Sequence, residues 1–208
     1  MWEDHLLPRF INVFCGTGEI ARHREDVVAG LRGSIVEIGF GSGLNVPLYP
    51  AEISTVYAVD PSSIGRKLGA KRVKASSIPV EYVGLDGQEL TLGDESVDGA
   101  LSTFTLCTIP DVGRALGELY RVLRPGGQVH FLEHGLAPDP VIADRQRRFN
   151  RFQRRIAGGC NLNRPIDRLI GDAGFEISAL KSDWLRGPKA LKPWNYLYTG
   201  VAIKPISA

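Results

Sequence analysis

Short apolar runs alternate with amphipathic stretches along most of the chain. The short runs predict buried strands, whereas apolar positions spaced three or four apart predict helices that pack on a sheet. The predicted strands cover 35–38, 56–59, 80–83, 97–105, 128–132, 175–180 and 196–203, and the predicted helices cover 63–75, a stretch after Asp111, 144–156 and 164–173. This alternation predicts a single α/β domain with a doubly wound, mostly parallel seven-stranded sheet and helices on both faces.

The first predicted strand runs into three glycines at alternate positions, Gly39, Gly41 and Gly43. Glycine lets the backbone turn sharply and approach a ligand closely, because no Cβ intervenes. A helix is predicted to begin at Leu44 and Asn45, and its free N–H groups would face the same ligand. The motif therefore predicts a nucleotide-type cradle at this edge of the sheet.

Spacing and three acidic residues indicate which nucleotide the cradle takes. A dinucleotide fingerprint requires glycine where this chain has Leu44. Glu37 would repel a pyrophosphate but suits an ammonium group. Asp60, after the second strand, is placed for two ribose hydroxyls, and Asp86, after the third, for an exocyclic amine. Three acids at successive strand ends favour S-adenosylmethionine, a cation without phosphate, over a nicotinamide dinucleotide.

Composition narrows the class of protein further. The net charge of +2 gives no strong attraction to nucleic acid, so no nucleic-acid partner is expected. The three cysteines are odd in number and lack a metal-ligand spacing, so neither a disulfide framework nor a metal site is predicted. No apolar run approaches the roughly 18–20 residues of a membrane span. We therefore expect a cytoplasmic protein.

At four places the residues resemble class I S-adenosylmethionine-dependent methyltransferases, namely 36–43, 58–61, 96–100 and 119–127. Within that class the chain is most similar to the animal methyltransferase-like proteins that act as thiol S-methyltransferases, in 105–108, 131–134, 158–164 and 173–175. The resemblance covers about residues 34 to 203. It implies a Rossmann-like methyltransferase fold and transfer of a methyl group from S-adenosylmethionine.

The resemblance also implies a set of cofactor contacts. It places Asp60 at the ribose, Asp86 and Gly87 at the adenine, and Thr103 and Phe104 on the floor of the site. Around the methionine moiety it places Glu37, Gly39, Gly41 and Gly43. Phe40, Asn45 and Pro61 complete the predicted cofactor site; Phe40 replaces the small residue or cysteine more usual in that turn.

The expected acceptor is a small apolar molecule, with a thiol favoured because of the subgroup likeness. An oxygen, nitrogen or carbon acceptor, including a quinone-like ring, a phenol or a lipid headgroup, remains open, as does a non-catalytic protein that binds the cofactor or a membrane surface. His134 is the predicted base or substrate orienter, since its ordinary pKa lies near neutrality. The alternative is a histidine hydrogen-bonded at a strand end. Cys107 and Cys160 are interpreted as packing residues rather than nucleophiles.

Two segments outside the cofactor motifs carry further expectations. Residues 1–30 predict an amphipathic helical flap or a helix packed on the core, and residues 31–208 form the methyltransferase domain. Within it, 144–165 is predicted to be a basic insertion that caps the substrate. Its face from Arg145 to Arg155 is a weak contact for an anionic membrane surface, a binding surface for an acidic substrate, or a solvated surface. The oligomeric state is left open.

Overall fold

The computed structural model describes residues 6–16 and 18–206. Its helices are α1 Leu7–Phe14, α2 Gly18–Val28, α3 Ser63–Ala75, α4 Val112–Val122, α5 Pro140–Ile156 and α6 Ile166–Asp172. Its strands are β1 Gly33–Ile38, β2 Ile53–Val59, β3 Val80–Gly84, β4 Val97–Thr103, β5 Leu123–His134, β6 Glu176–Trp184 and β7 Tyr196–Ile203. Two 3₁₀ turns cover Val46–Leu48 and Lys189–Trp194.

The strands form one seven-stranded sheet in the order β3-β2-β1-β4-β5-β7-β6. β7 pairs antiparallel with both β5 and β6, and the other pairings are parallel. The predicted α/β fold with a mostly parallel seven-stranded sheet is confirmed. The chain order reverses between β1 and β4, and open α/β sheets bind ligands at such a switch point.

Alternation along β1 divides the core between the two faces of the sheet. Val36 and Ile38 belong to the apolar cluster that includes α4 and α6, whereas Ile35 belongs to the cluster that includes Val27 and Val28 of α2. Successive side chains of a strand point to opposite faces, so Glu37 lies on the α2 side. A carboxyl group is thereby placed inside the core beneath the glycine turn.

The predicted helix after the glycine turn is wrong, because this region contains only the 3₁₀ turn Val46–Leu48. Pro50 disfavours a helical conformation at the preceding residue, and Tyr49 is extended with φ −61° and ψ 129°. The helix that packs on the turn is α3 instead. A Cβ on Gly65 or Gly69 would lie 2.9 Å or 2.7 Å from the backbone of Gly41 or Ser42.

The two N-terminal helices have different positions. Leu7 of α1 is buried beside the carboxyl edge of the sheet, whereas α2 buries Ile20, Val27 and Val28. The flap prediction therefore describes α1 and not α2, which is part of the core; residues 1–5 and 17 lie outside the described residues. No helix in the described part of the chain has the length and apolarity needed to cross a membrane.

Candidate active site

A cavity of about 390 Å³ lies along the carboxyl ends of the first four strands. Its lining follows the order of the strands in the sheet: Asp86 after β3, Asp60 after β2, 39–42 after β1 and 103–105 from β4 onwards. The cavity is thus an elongated groove across the switch point. A ligand with chemically distinct parts would meet a different strand end with each part.

Most of the predicted cofactor residues line this groove. They are Gly39, Phe40, Gly41, Asp60, Pro61, Asp86, Gly87, Thr103 and Phe104. Glu37, Gly43 and Asn45 do not line it, and neither does His134. Direct ligand contact stays a prediction for all of these residues, and for these four the groove gives no support.

The glycine turn is held in a conformation that a side chain would prevent. Gly39 has a φ of +71°, and a Cβ there would lie 1.7 Å from Oγ1 of Thr105. That separation is far below any contact distance, so the turn and the loop after β4 fit together only if residue 39 is glycine. This close approach fixes the floor of the groove between β1 and β4.

Asp60 joins the glycine turn to the start of α3. Its carboxylate accepts the backbone N–H of Gly41 at 2.8 Å and that of Ser62 at 2.7 Å. A carboxylate has about four acceptor positions, so two remain for ligand hydroxyls. Burial raises the pKa of Asp60, and the two backbone hydrogen bonds oppose that shift. The side chain is therefore a positioned acceptor at the middle of the groove.

Asp86 has a different environment at the far end of the groove. It is exposed, and its Oδ1 accepts both the backbone N–H and the side-chain amide of Gln88 at 2.9 Å. These hydrogen bonds lower the pKa of Asp86, so the group is ionised at neutral pH. A charged hydrogen-bond acceptor that is open to solvent suits an amino group at the exposed edge of a planar ligand.

Glu37 lies behind the wall of the groove in a buried polar network. Asn45 donates its side-chain amide to Glu37 at 2.8 Å, and the Tyr49 hydroxyl donates to the other carboxylate oxygen. Burial raises the pKa of Glu37 to about 7, despite the lowering by these two hydrogen bonds and by the charge of Arg24. The carboxyl group is therefore close to the protonation midpoint at neutral pH.

Arg24 was not predicted, yet it connects this network to the groove. Its guanidinium donates to Oδ1 of Asn45 at 2.8 Å, to Oγ1 of Thr103 at 2.9 Å and to the Cys15 carbonyl at 3.0 Å. The residue is buried and lines the groove. Burial lowers its pKa, but an arginine remains charged in proteins. No local pattern in α2 distinguishes this arginine from its exposed charged neighbours.

The loop after β4 is anchored from β5 by Glu133. Its buried carboxylate accepts the Ser102 hydroxyl at 2.7 Å and the backbone N–H groups of Thr105 at 3.0 Å and Cys107 at 3.2 Å. Phe104 takes a positive φ of 56°, which turns the loop across the groove. Glu133 belongs to the 131–134 motif, but no role was assigned to it from the sequence.

His134 does not line the groove. Its Nδ1 lies 3.7 Å from Sγ of Cys160, and its Nε2 is buried without a hydrogen-bond partner. The position at the carboxyl end of β5 is as predicted. A direct proton transfer with a molecule in the groove is not supported by this orientation.

Apolar residues from distant segments also line the groove. Leu7, Pro8 and Ile11 of α1 contribute, together with Ala157 and Gly158 after α5. A Cβ on Gly158 would lie 2.9 Å from Leu7, so α1 and the end of α5 are in contact. Of the segment 144–165, the C-terminal part lines the groove, so the capping role predicted for the segment depends on that part.

Known proteins resemble the chain over most of its length. A family model described as a methyltransferase domain matches residues 36–131. A thiol S-methyltransferase of Rattus norvegicus is 30% identical over 82% of the chain and 70% of its own length. The chain belongs to the class I S-adenosylmethionine-dependent methyltransferases.

Further comparisons agree with this family. A phosphatidylethanolamine N-methyltransferase of Cereibacter sphaeroides is 28% identical over 79% of the chain and 81% of its own length. The solved structure of an S-adenosylmethionine-dependent methyltransferase of Thermotoga maritima superposes with a TM-score of 0.65 and 24% identity, over 98% of the chain and all of that structure. The present chain is therefore an enzyme whose cofactor is S-adenosylmethionine. The acidic residues that follow successive strands along the groove fit that molecule.

Proposed function

We propose that this methyltransferase methylates a small apolar acceptor, with a thiol as the favoured nucleophile. The observation that carries the proposal is the set of ionisable side chains along the described groove, which is limited to Arg24, Asp60 and Asp86. Both carboxylates follow β2 and β3, whereas the lining after β4 includes the apolar residues Ile109 and Pro110. A thiol ionises near neutral pH by itself, whereas a phenol or an amine gains more from an enzyme base.

The residues along the groove receive roles from their order. Asp60 binds the ribose hydroxyls, and Asp86 with Gly87 lies at the adenine end. The buried cation Arg24 binds the carboxylate of the methionine moiety, and Glu37 attracts its ammonium group from behind the wall of the groove. Thr103 and Phe104 lie beneath the part that carries the reactive methyl group. When bound, the cofactor supplies an activated methyl group on a sulfonium.

Catalysis then depends on alignment and exclusion of water. Holding a nucleophile in line with a bound methyl group removes much of the entropic barrier of a bimolecular reaction. Leu7, Ile11 and Ile109 give the acceptor side an apolar surface that binds the acceptor and excludes water. Under this proposal His134 is not the base, because it lies outside the groove.

A second candidate is the amine headgroup of a membrane lipid, and the surface around the groove favours it. α1 exposes Phe10 to 60% and α5 exposes Phe152 to 60%. Arg147, Arg151 and Arg154 line a shallow basic depression on α5. Exposed aromatics beside arginines suit an anionic lipid surface, so the contact predicted for Arg145–Arg155 is retained in this candidate. The similar proteins include both a thiol and a phospholipid methyltransferase.

The proposed location is the cytoplasm. Cys15, Cys107 and Cys160 are free thiols in the structure. Free thiols persist where the compartment is reducing.

Cofactor binding is tested first, by isothermal titration with S-adenosylmethionine. Wild type is expected to bind with micromolar affinity, about −8 kcal/mol. Asp60→Ala removes two charge-assisted hydrogen bonds to the ribose, at about 1.5–3 kcal/mol each, so a loss of at least about a hundredfold is expected. Asp172→Ala, at an exposed carboxylate on α6, is the matched control and should bind as wild type does.

The acceptor is tested with an aryl thiol, the corresponding phenol and vesicles of phosphatidylethanolamine, by following S-adenosylhomocysteine formation. Methylation of the thiol well above the phenol supports the proposal. Methylation of the vesicles alone transfers the assignment to the second candidate. Preference for the phenol would contradict the proposal, because the described lining residues after β4 and on α1 include no base.

A further inference from the structure

Two cysteines from distant parts of the chain meet just outside the groove. Cys107 lies in the loop after β4, and Cys160 follows α5; their sulfur atoms are 3.8 Å apart. Neither cysteine lines the groove, so neither belongs to the cofactor or acceptor site described above. We define Cys107 and Cys160 as the thiol pair.

The backbones around the thiol pair are already held together. The backbone N–H of Asn161 donates to the carbonyl of Cys107 at 2.8 Å, and its side-chain amide donates to the same oxygen at 3.0 Å. On the other side, the N–H of Cys107 donates to Glu133. A disulfide needs the two sulfur atoms to approach to about 2.05 Å. The two sulfur atoms therefore have to approach by about 1.8 Å, between two segments that are already hydrogen-bonded to each other.

The two thiols differ in reactivity. Cys160 is half-buried, and its sulfur lies 3.7 Å from Nδ1 of His134, an imidazole that is only 6% exposed. The hydrogen bond with Cys107 lowers the pKa of Cys160, burial opposes this, and His134 adds to the lowering. For the buried Cys107, the interaction with Cys160 and burial both raise the pKa. These shifts and the greater exposure of Cys160 favour Cys160 as the thiol of the pair that ionises first.

A metal site does not account for this arrangement. Among the described residues, no group of three or more histidine, cysteine or acidic side chains is placed to hold a metal ion. A nucleophilic thiolate next to a protonated thiol is instead the arrangement in which one cysteine is oxidised and the other resolves it.

We propose that the thiol pair is a redox site, in which a hydroperoxide oxidises Cys160 and Cys107 converts the product to an intramolecular disulfide. In the first step the Cys160 sulfur attacks the peroxide, a sulfur–oxygen bond forms, and the oxygen–oxygen bond breaks. The peroxide is reduced to an alcohol, or to water from hydrogen peroxide, and takes up the thiol proton. Cys160 becomes a sulfenic acid.

In the second step the Cys107 sulfur attacks the Cys160 sulfur. The sulfur–sulfur bond forms, the sulfur–oxygen bond breaks, and the hydroxyl leaves as water with the Cys107 proton. A dithiol reductant reduces the disulfide back to the two thiols and is itself oxidised to a disulfide. The disulfide joins the segment that carries Ala157 and Gly158 of the groove to the loop after β4.

The test treats reduced full-length protein with hydrogen peroxide, blocks the remaining thiols with a maleimide and measures intact mass and disulfide-linked peptides. Wild type is expected to lose two hydrogens and to keep one of its three thiols. Cys15→Ser is the matched control and should form the same disulfide. Cys107→Ser should stop at the sulfenic acid, which dimedone traps at Cys160, and Cys160→Ser should leave Cys107 unmodified.

Several outcomes overturn the proposal. They are a disulfide between Cys15 and Cys160, oxidation of Cys107 in Cys160→Ser, and three free thiols in wild type after peroxide treatment. The pairing of Cys160 with His134 has its own readout, the pH profile of alkylation by iodoacetamide. At about pH 6, His134→Asn should react about tenfold more slowly than wild type, because less thiolate is present and the gain in nucleophilicity compensates only in part. An unchanged pH profile would show that His134 does not activate Cys160.

Discussion

Replacing Glu37 with glutamine separates the role of this carboxyl group in folding from its role in cofactor binding. Burial raises the folded-state pKa to about 7, against an ordinary value of 4.5. The unfolded chain therefore releases this proton at lower pH than the folded protein does. The associated stability is fully present below about pH 4.5 and is lost as the pH rises to about 7.

The size of this loss follows from the two pKa values. At about 1.4 kcal/mol per pKa unit, the total is about 3 kcal/mol, and about 2–3 kcal/mol of it falls between about pH 5 and pH 8. Glu37→Gln keeps the shape of the side chain and an oxygen acceptor for Asn45 or Tyr49 but cannot ionise. The unfolding free energy of the variant minus that of wild type is therefore expected to be larger at about pH 8 than at about pH 5 by that amount.

The assay is urea unfolding of the cofactor-free protein at both pH values. Other groups that titrate in this window are common to wild type and variant, so the difference between them isolates Glu37. Asp86→Asn removes an exposed carboxylate whose pKa is lowered, and it serves as the control without the raised pKa. A wild-type–variant difference that changes by less than about 1 kcal/mol between the two pH values would refute the reasoning.

The affinity for the cofactor should change with pH in the direction opposite to that of the stability. The ammonium group of S-adenosylmethionine favours the ionised carboxylate, so wild-type affinity is expected to rise with pH through about 7. Glu37→Gln should bind about tenfold or more weakly at about pH 8 and lose this pH dependence. Equal affinity of variant and wild type would show that Glu37 has a role in folding alone.

Three further predictions concern the turn, the core and the surface. Gly39→Ala should weaken S-adenosylmethionine binding by more than about tenfold in titration calorimetry, because the Cβ collides with Thr105 and positive φ adds about 1–2 kcal/mol of strain; wild-type affinity would contradict the close approach. Leu116→Ala, at a fully buried position of α4, should lower the unfolding free energy in urea by about 2–5 kcal/mol; a loss below about 1 kcal/mol would contradict its packing. Sedimentation with phosphatidylserine vesicles should show binding that Phe10→Ser and Phe152→Ser each weaken about tenfold; equal sedimentation of all three proteins would exclude a lipid contact at this surface.

The positions of the strands along the chain and the acidic residues that follow them could be predicted, because both are local properties. The run 35–38 has the length and apolarity of a buried strand, and Asp60 and Asp86 each follow such a run. Parallel strands end at one edge of a sheet, so residues after successive strands must lie together. For the same reason the groove contains nine of the predicted cofactor residues.

The predicted helix after the glycine turn was wrong for a reason that is also local. Pro47 and Pro50 leave too few residues for helix propagation, and a helix needs several consecutive hydrogen bonds to form. Residues of α3, the helix that follows β2, pack on the glycine turn instead. Its glycines carry no periodic signal that would identify the turn as their partner.

The sequence by itself determined which segments are strands, which residues stand at their ends and which family the motifs resemble. Only the tertiary structure decided that Arg24 reaches the groove, that Glu37 is buried behind it, and that His134 faces Cys160. Residues 26 positions apart in the chain, such as His134 and Cys160, become neighbours only when the segment after α5 folds onto the carboxyl end of β5. The depth and direction of a side chain depend on elements distant in sequence, and no local pattern carries that information.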